Sequence, residues 1–202
     1  MMKKFAGKNA CLAAVLPLIA FASPAAAGTQ QAFAVQSKST VATYAPITVA
    51  EVEAAQRAWG DALVAISTTY DRDGFAAAKR LAETVLDSAY GYNMGPVLFK
   101  PTLTSAPQTF RTQRDGALAY FVGGDKKYPN DSGFALKSWR GYKIENAGIV
   151  ITGNSANSMG NVSFTDAKGN VTTVDKTWGY VRDGEGKLRV ILHHSSLPYK
   201  SN

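Results

Sequence analysis

The four residues His193-His194-Ser195-Ser196 are the stretch of this sequence best equipped for chemistry. Imidazoles move protons, and hydroxyls orient water by hydrogen bonds. These are the only two histidines in the chain. They close an apolar, β-branched run, Leu188-Arg189-Val190-Ile191-Leu192, which reads as a strand. Side chains alternate across a strand, so His193 and Ser195 share one face and His194 and Ser196 the other. A strand with its polar residues at the C-terminal end either delivers them to the mouth of a pocket or frays into solvent. The pattern alone leaves both open.

Several chemistries are disfavoured. Three-histidine and cysteine-rich zinc sites cannot be assembled from two adjacent histidines and a single cysteine, Cys11. A site of one histidine with carboxylates has no spacing that points to it. Ser195 lies two residues from His193 and points the same way, but no nucleophile elbow accompanies it. No glycine-rich loop follows a strand and opens a helix, so no phosphate cradle is expected. Lys137, Trp139, Arg140 and Lys143 are the nearest approach to a basic stripe and read as a solvated strand edge. Nucleic acid is not an expected partner.

The positioning elements fall in two halves. Thr48-Val49-Ala50-Glu51 fits a capping box. Val52, Ala55, Trp59, Leu63, Ile66 and Tyr70 then recur at helical spacing. Gly60 inside this helix suggests a close packing contact, since glycine there costs about 1 kcal/mol against alanine. Asp71-Arg72-Asp73-Gly74 reads as a turn. Phe75, Ala78, Ala82, Val85, Leu86 and Ala89 form a second helix, stopped near Gly91. Pro96-Val97-Leu98-Phe99 suits a short extended piece. Residues 116–122 suit a helix ended by Gly123-Gly124, and residues 125–132 a polar loop.

From Phe134 the period changes. Extended segments are expected over Tyr142–Thr152, Ser158–Thr165, Val171–Val181 and Leu188–Ser196, joined by short turns. Short links imply antiparallel neighbours. Gly148, Gly160 and Gly179 suggest bulges and a strongly curved sheet. Helices first and a curved antiparallel sheet afterwards is an α+β arrangement, with a cone-shaped cavity between the layers as the default site.

The first 27 residues read as a targeting segment. Lys3, Lys4 and Lys8 precede an apolar run from Cys11 to Phe21, and Ala25-x-Ala27 suits signal-peptidase cleavage. The run is too short for a stable membrane span. A periplasmic or secreted protein is expected, with no membrane association after cleavage. Residues 28–47 read as a flexible lead-in and 48–202 as one domain. Removal of the three lysines takes the net charge from +7 to about +4. That mild positive balance favours small anions. The mature chain has no disulfide to rely on.

Several blocks in order resemble the iota-class carbonic anhydrases. They are Pro96–Thr102, Gly116–Gly124, Glu145-Asn146-Ala147-Gly148, Thr177–Asp183 with Gly186–Arg189, and His193–Tyr199. The similarity runs from about Thr48 to the C-terminus. The resemblance implies a cone-shaped fold akin to nuclear transport factor 2 and to the association domain of calmodulin-dependent kinase II, assembled as a homodimer. It implies reversible hydration of carbon dioxide to bicarbonate. The family's pocket residues map onto Thr102, Tyr120, His193 and Ser195. Thr102, Tyr120 and Ser195 would hold the attacking water, and His193 or Tyr120 would take its proton. Phe110 and Phe121 would be the apolar walls around the substrate. His194 and Ser196 become supporting or interface groups. Several members work without metal while others have been described with zinc or manganese, so no cofactor is expected here and those two ions are the alternatives. A non-catalytic dimeric ligand-binding or oligomerisation module of the same fold is the competing reading. A lyase or isomerase acting on a small carbonyl compound is the third.

Overall fold

The computed structural model describes residues 44–200. The expected signal segment and most of the lead-in lie outside the described residues. Helix α1 (Val49–Asp73) starts at the expected capping box. The Thr48 hydroxyl accepts from the Glu51 backbone N–H at 3.3 Å, and the Glu51 carboxylate accepts from the Thr48 N–H at 2.8 Å. Asp71-Arg72-Asp73-Gly74 is not the expected four-residue turn. The helix runs through Asp73, and Gly74 alone breaks it at φ 80°. That backbone region favours glycine, whereas the three charged residues are ordinary helix members. Helix α2 (Phe75–Ala89) follows directly. Gly60 has the close contact its position suggested, because a Cβ there would collide with the Tyr142 ring.

Strand β1 (Leu98–Lys100) precedes helix α3 (Arg114–Val122), a 3-10 turn at Phe134–Leu136 and four long strands: β2 (Trp139–Thr152), β3 (Ser155–Asp166), β4 (Val171–Arg182) and β5 (Leu188–Ser196). The sheet order is β1-β5-β4-β3-β2. The last four strands form the expected antiparallel meander. The departure is β1, which adds to β5 in parallel, with Phe99 beside His193. β2 also starts three residues earlier than its composition suggested. Trp139 is therefore not a solvated edge residue. It is 5% exposed, and its indole N–H donates to the Phe134 carbonyl at 2.7 Å. Its neighbours Lys137, Arg140 and Lys143 are exposed, and β2 is the sheet edge.

Two of the three register shifts in the ladder sit at or beside the expected glycines, and the third lies between Trp139 and Gly141. The β2–β3 register shifts between Asn146 and Gly148, opposite Gly160, where a Cβ would strike the Glu145 carbonyl. The β4–β5 register shifts between Gly179 and Tyr180. These bulges bend the strands around the helices. Trp59, Leu63 and Ile66 of α1 and Ala78, Ala82 and Leu86 of α2 pack with Val162, Phe164, Val174, Trp178 and Tyr180 of the sheet in one core. Large aromatic rings fill much of the expected cone.

Candidate active site

The bulge at Gly179 decides which groups enter the core. Gly179 pairs with Leu192 and Tyr180 with Val190, so Ile191 has no partner. Val190 points inward at 4% exposure. Strict alternation from there would turn His194 inward. The unpaired Ile191 resets the phase, and His193 and Ser195 are each 1% exposed while His194 faces solvent.

Ser195 meets Thr102. β1 runs parallel to β5 with Lys100 beside His194, and Pro101 ends the strand there. The chain then turns, and the Thr102 and Ser195 hydroxyl oxygens lie 2.6 Å apart. The Lys100 ammonium donates to the Ser195 carbonyl at 3.0 Å, tying the two strand ends together. Helix α3 supplies Tyr120, 5% exposed, with its ring stacked on Phe134 at 5.6 Å. The Tyr120 hydroxyl faces Thr102 and the backbone at Thr102 and Leu103. It closes no hydrogen bond of acceptable geometry with them and is fully buried. Burial pushes its pKa up to about 12, so it is a neutral phenol and a donor at physiological pH. Three hydroxyls therefore meet, those of buried Tyr120 and Ser195 and half-buried Thr102, and among the described residues the Tyr120 hydroxyl is unpartnered.

His193 lies alongside with both ring nitrogens engaged. Nδ1 is 2.8 Å from the Tyr90 hydroxyl, and Nε2 is 2.8 Å from the Lys176 Nζ. Tyr90 also accepts from the Trp59 indole at 2.9 Å. The imidazole stacks on Phe99 at 4.6 Å and 18° and meets the Trp59 ring edge-on at 5.4 Å. Burial, then the neighbouring Lys176, hold its pKa well below the usual imidazole value, so it is neutral. It presents no free nitrogen to the hydroxyl cluster. Phe121 is in the wall, stacked on Phe99 at 5.7 Å. Phe110 is not: it is 56% exposed. The chain turns there to bury Arg111, which makes an ion pair with Asp131 at 3.0 Å, so its neighbour faces out. An open groove lined by Asp61, Thr68, Arg72, Arg140 and Tyr142 holds none of the candidate residues. Among the described residues no group of three or more His, Cys, Asp or Glu side chains is placed to hold a metal ion.

Comparison with known proteins decides the family. The family model described as metal-independent carbonic anhydrase matches residues 50–197. The chain belongs to the metal-independent carbonic anhydrase family. A metal-independent carbonic anhydrase of Nostoc sp. (strain PCC 7120) is 67% identical over 154 residues, which are 76% of this chain and 75% of that protein. The crystal structure of a cyanobacterial iota-carbonic anhydrase complexed with bicarbonate superimposes with a TM-score of 0.76 at 66% identity, covering 77% of this chain and 95% of that one. A calmodulin-dependent kinase II association domain from Xanthomonas campestris shares the fold alone, with a TM-score of 0.52 at 20% identity over 84% of this chain and 100% of that one. These findings bear out the expected family, the activity it carries and the fold, in an enzyme class that needs no cofactor.

Sequence reasoning missed Lys176, Tyr90, Trp59 and Phe99 as neighbours of His193 in this candidate site. Val174, Lys176, Trp178 and Tyr180 occupy alternate positions of β4, and all four are buried. A lysine inside an inward-facing apolar alternation was the available signal for the first of them.

Proposed function

We propose that Thr102, Tyr120 and Ser195 hold the reacting water and carbon dioxide of a metal-free hydration, with Phe99 and Phe121 as the apolar wall. The observation that carries this reading is the 2.6 Å Thr102–Ser195 hydroxyl pair beside the buried, unpartnered Tyr120 hydroxyl. The pair shares one hydrogen and keeps lone pairs and one further proton for a water molecule, which it orients towards the carbon. Tyr120 donates to the oxygen on which negative charge develops. Its high pKa makes it a donor and a poor base, so as the C–O bond forms the water's proton leaves through the Thr102–Ser195 hydroxyl pair to bulk water, which the half-buried Thr102 reaches. His193 supports the site from behind, through its stack on Phe99 and its two hydrogen bonds.

Stopped-flow carbon dioxide hydration after chelation tests this beside Ser195→Ala. Chelator-resistant activity that falls about 100-fold in the variant is the expected result. Activity that vanishes with chelator and returns with zinc or manganese overturns it. A folded protein with no activity puts the binding-module reading first.

We propose further that the protein assembles as a homodimer and is exported. The outer sheet face carries Val150 and Met159, 65% and 60% exposed, on neighbouring strands, and it supports homodimer formation. A monomeric mass by light scattering at micromolar concentration refutes that. Export to the periplasm or beyond is supported by the N-terminal sequence pattern and predicts a mature chain beginning at Gly28. Recovery of an uncleaved N-terminus from the native host counts against it. Among the described residues no helix is long and apolar enough to cross a membrane.

A further inference from the structure

Lys176 is an unusual residue to find where it sits. It is 3% exposed on the inner face of β4, opposite Ser195 in the β4–β5 register. Its Nζ lies 4.6 Å from the Trp59 ring centre, 5.6 Å from Trp178 and 5.9 Å from Phe164. Among the described residues no carboxylate offsets it: burial alone brings its pKa down to about 7. Its polar partner is His193 on β5. The other charged groups nearby, Lys100, His194 and Asp175, sit at the exposed end or outer face of the strands, and Tyr90 reaches it through the imidazole.

Donor counting couples this amine to the imidazole. The Trp59 indole only donates, so the Tyr90 oxygen accepts from it. A neutral His193 carries one ring proton. If that proton is on Nε2, Nδ1 accepts the Tyr90 hydroxyl proton and Lys176 must offer a lone pair, which only the neutral amine has. If Lys176 is an ammonium it only donates. Nε2 must then be bare, the ring proton sits on Nδ1, and the Tyr90 hydroxyl turns away from the ring. We propose that Lys176 is a positioning residue of the hydration reaction, whose protonation state selects the tautomer of His193 and the orientation of the Tyr90 hydroxyl. The ammonium form sets a positive charge behind Ser195, which favours a bound bicarbonate. By linkage, bicarbonate favours the ammonium and the Nδ1–H tautomer. The amine form suits the neutral pair of water and carbon dioxide.

The tautomer is a property of the free protein, while its consequence for rate rests on the proposed hydration site. Ring 15N and 1H NMR of His193 in the full chain, assigned against His194→Gln, reads the tautomer between about pH 5.5 and 9.5. The expected result is a change from Nδ1–H at low pH to Nε2–H at high pH. Lys176→Arg, a permanent donor, holds Nδ1–H throughout. Lys176→Met, which fits the apolar surroundings and so keeps the test alive if arginine is not accommodated, shows no pH dependence. A single tautomer across the range in the wild type, or an unchanged switch in Lys176→Met, overturns the coupling. The pH profile of hydration should inflect with the NMR midpoint in the wild type and lose that inflection in Lys176→Met. An NMR switch with no matching inflection overturns the positioning role. A wild type with the switch and no hydration at any pH fails the proposed function instead and leaves the coupling standing.

Discussion

The two faces of the end of β5 carry the same residue types in the same order and have opposite fates. His193 and Ser195 are each 1% exposed, surrounded by Trp59 of α1, Tyr90 just beyond α2, Phe99 of β1, Thr102 just beyond β1 and Lys176 of β4. His194 is exposed and Ser196 half-exposed on the outer face. Chemistry in this strand comes from what each face is turned towards. Burial among aromatic rings makes His193 a neutral hinge between Tyr90 and Lys176, and the same type of ring one residue later meets water. The phase that separates them is set by one unpaired residue, Ile191, opposite the Gly179 bulge.

The sharpest break of this contrast is His193→Ala beside His194→Ala. The inner substitution opens a cavity against Phe99 and Trp59 and strips Tyr90 and Lys176 of a buried partner. We expect a loss of roughly 3–4 kcal/mol in urea unfolding. The outer one should stay within about 0.5 kcal/mol. Equal losses would mean the two faces are not energetically distinct. Next in size is Ser195→Ala against Ser196→Ala. Carbon dioxide hydration should fall about 100-fold in the first, equivalent to about 2.7 kcal/mol of barrier. The second should remain within about twofold.

Much of this contrast was legible before the structure, and the illegible part has a physical cause. The capping box at Thr48 and Glu51, the helical stripe from Val52 to Ile66 and the meander are local patterns, and local patterns survive folding when the core agrees with them. Glycines at 148, 160 and 179 marked curvature: register shifts lie beside Gly148 and Gly179, and a Cβ at Gly160 would strike the Glu145 carbonyl. Alternation correctly separated His193 from His194. Which of them faces inward depended on an unpaired residue, and pairing is a long-range property. Lys176 escaped for a similar reason: a lone lysine in a strand reads as solvent-facing until its neighbours are known to be buried. Phe110 was misjudged because hydrophobicity alone was used, while the adjacent Arg111 claims the interior through Asp131.

A third test asks whether the inner-face amine costs stability as its burial implies. Lys176 has a folded pKa of about 7, against an ordinary lysine value of 10.5. Between those values the unfolded chain holds a proton that the folded chain has released. Unfolding therefore takes up a proton, and stability rises with pH across this window. The slope expected from this one group is about 1.4 kcal/mol per pH unit. Below the folded pKa both states are protonated and its contribution is flat. Chemical denaturation of the wild type and Lys176→Met between about pH 7 and 9.5 isolates the term, since the exposed lysines cancel in the difference. Parallel profiles would show that the amine is solvated in the folded state, and with it the sealed character of the inner face would go.

The smallest effect is expected from Tyr120→Phe, and it separates catalysis from stability within the inner face. The hydroxyl is buried and unpartnered, so removing it takes away a desolvation penalty and no hydrogen bond. Stability should hold or rise by up to about 1 kcal/mol. The ring remains stacked on Phe134 and edge-on to Phe99 and Phe121, so packing is kept. Hydration should nevertheless fall about tenfold, because the lost proton is the one aimed at the developing negative charge. A more stable and slower enzyme is what an unpartnered buried donor predicts, since its partner arrives with the substrate. A variant that loses stability and keeps its rate would assign the Tyr120 hydroxyl to the fold.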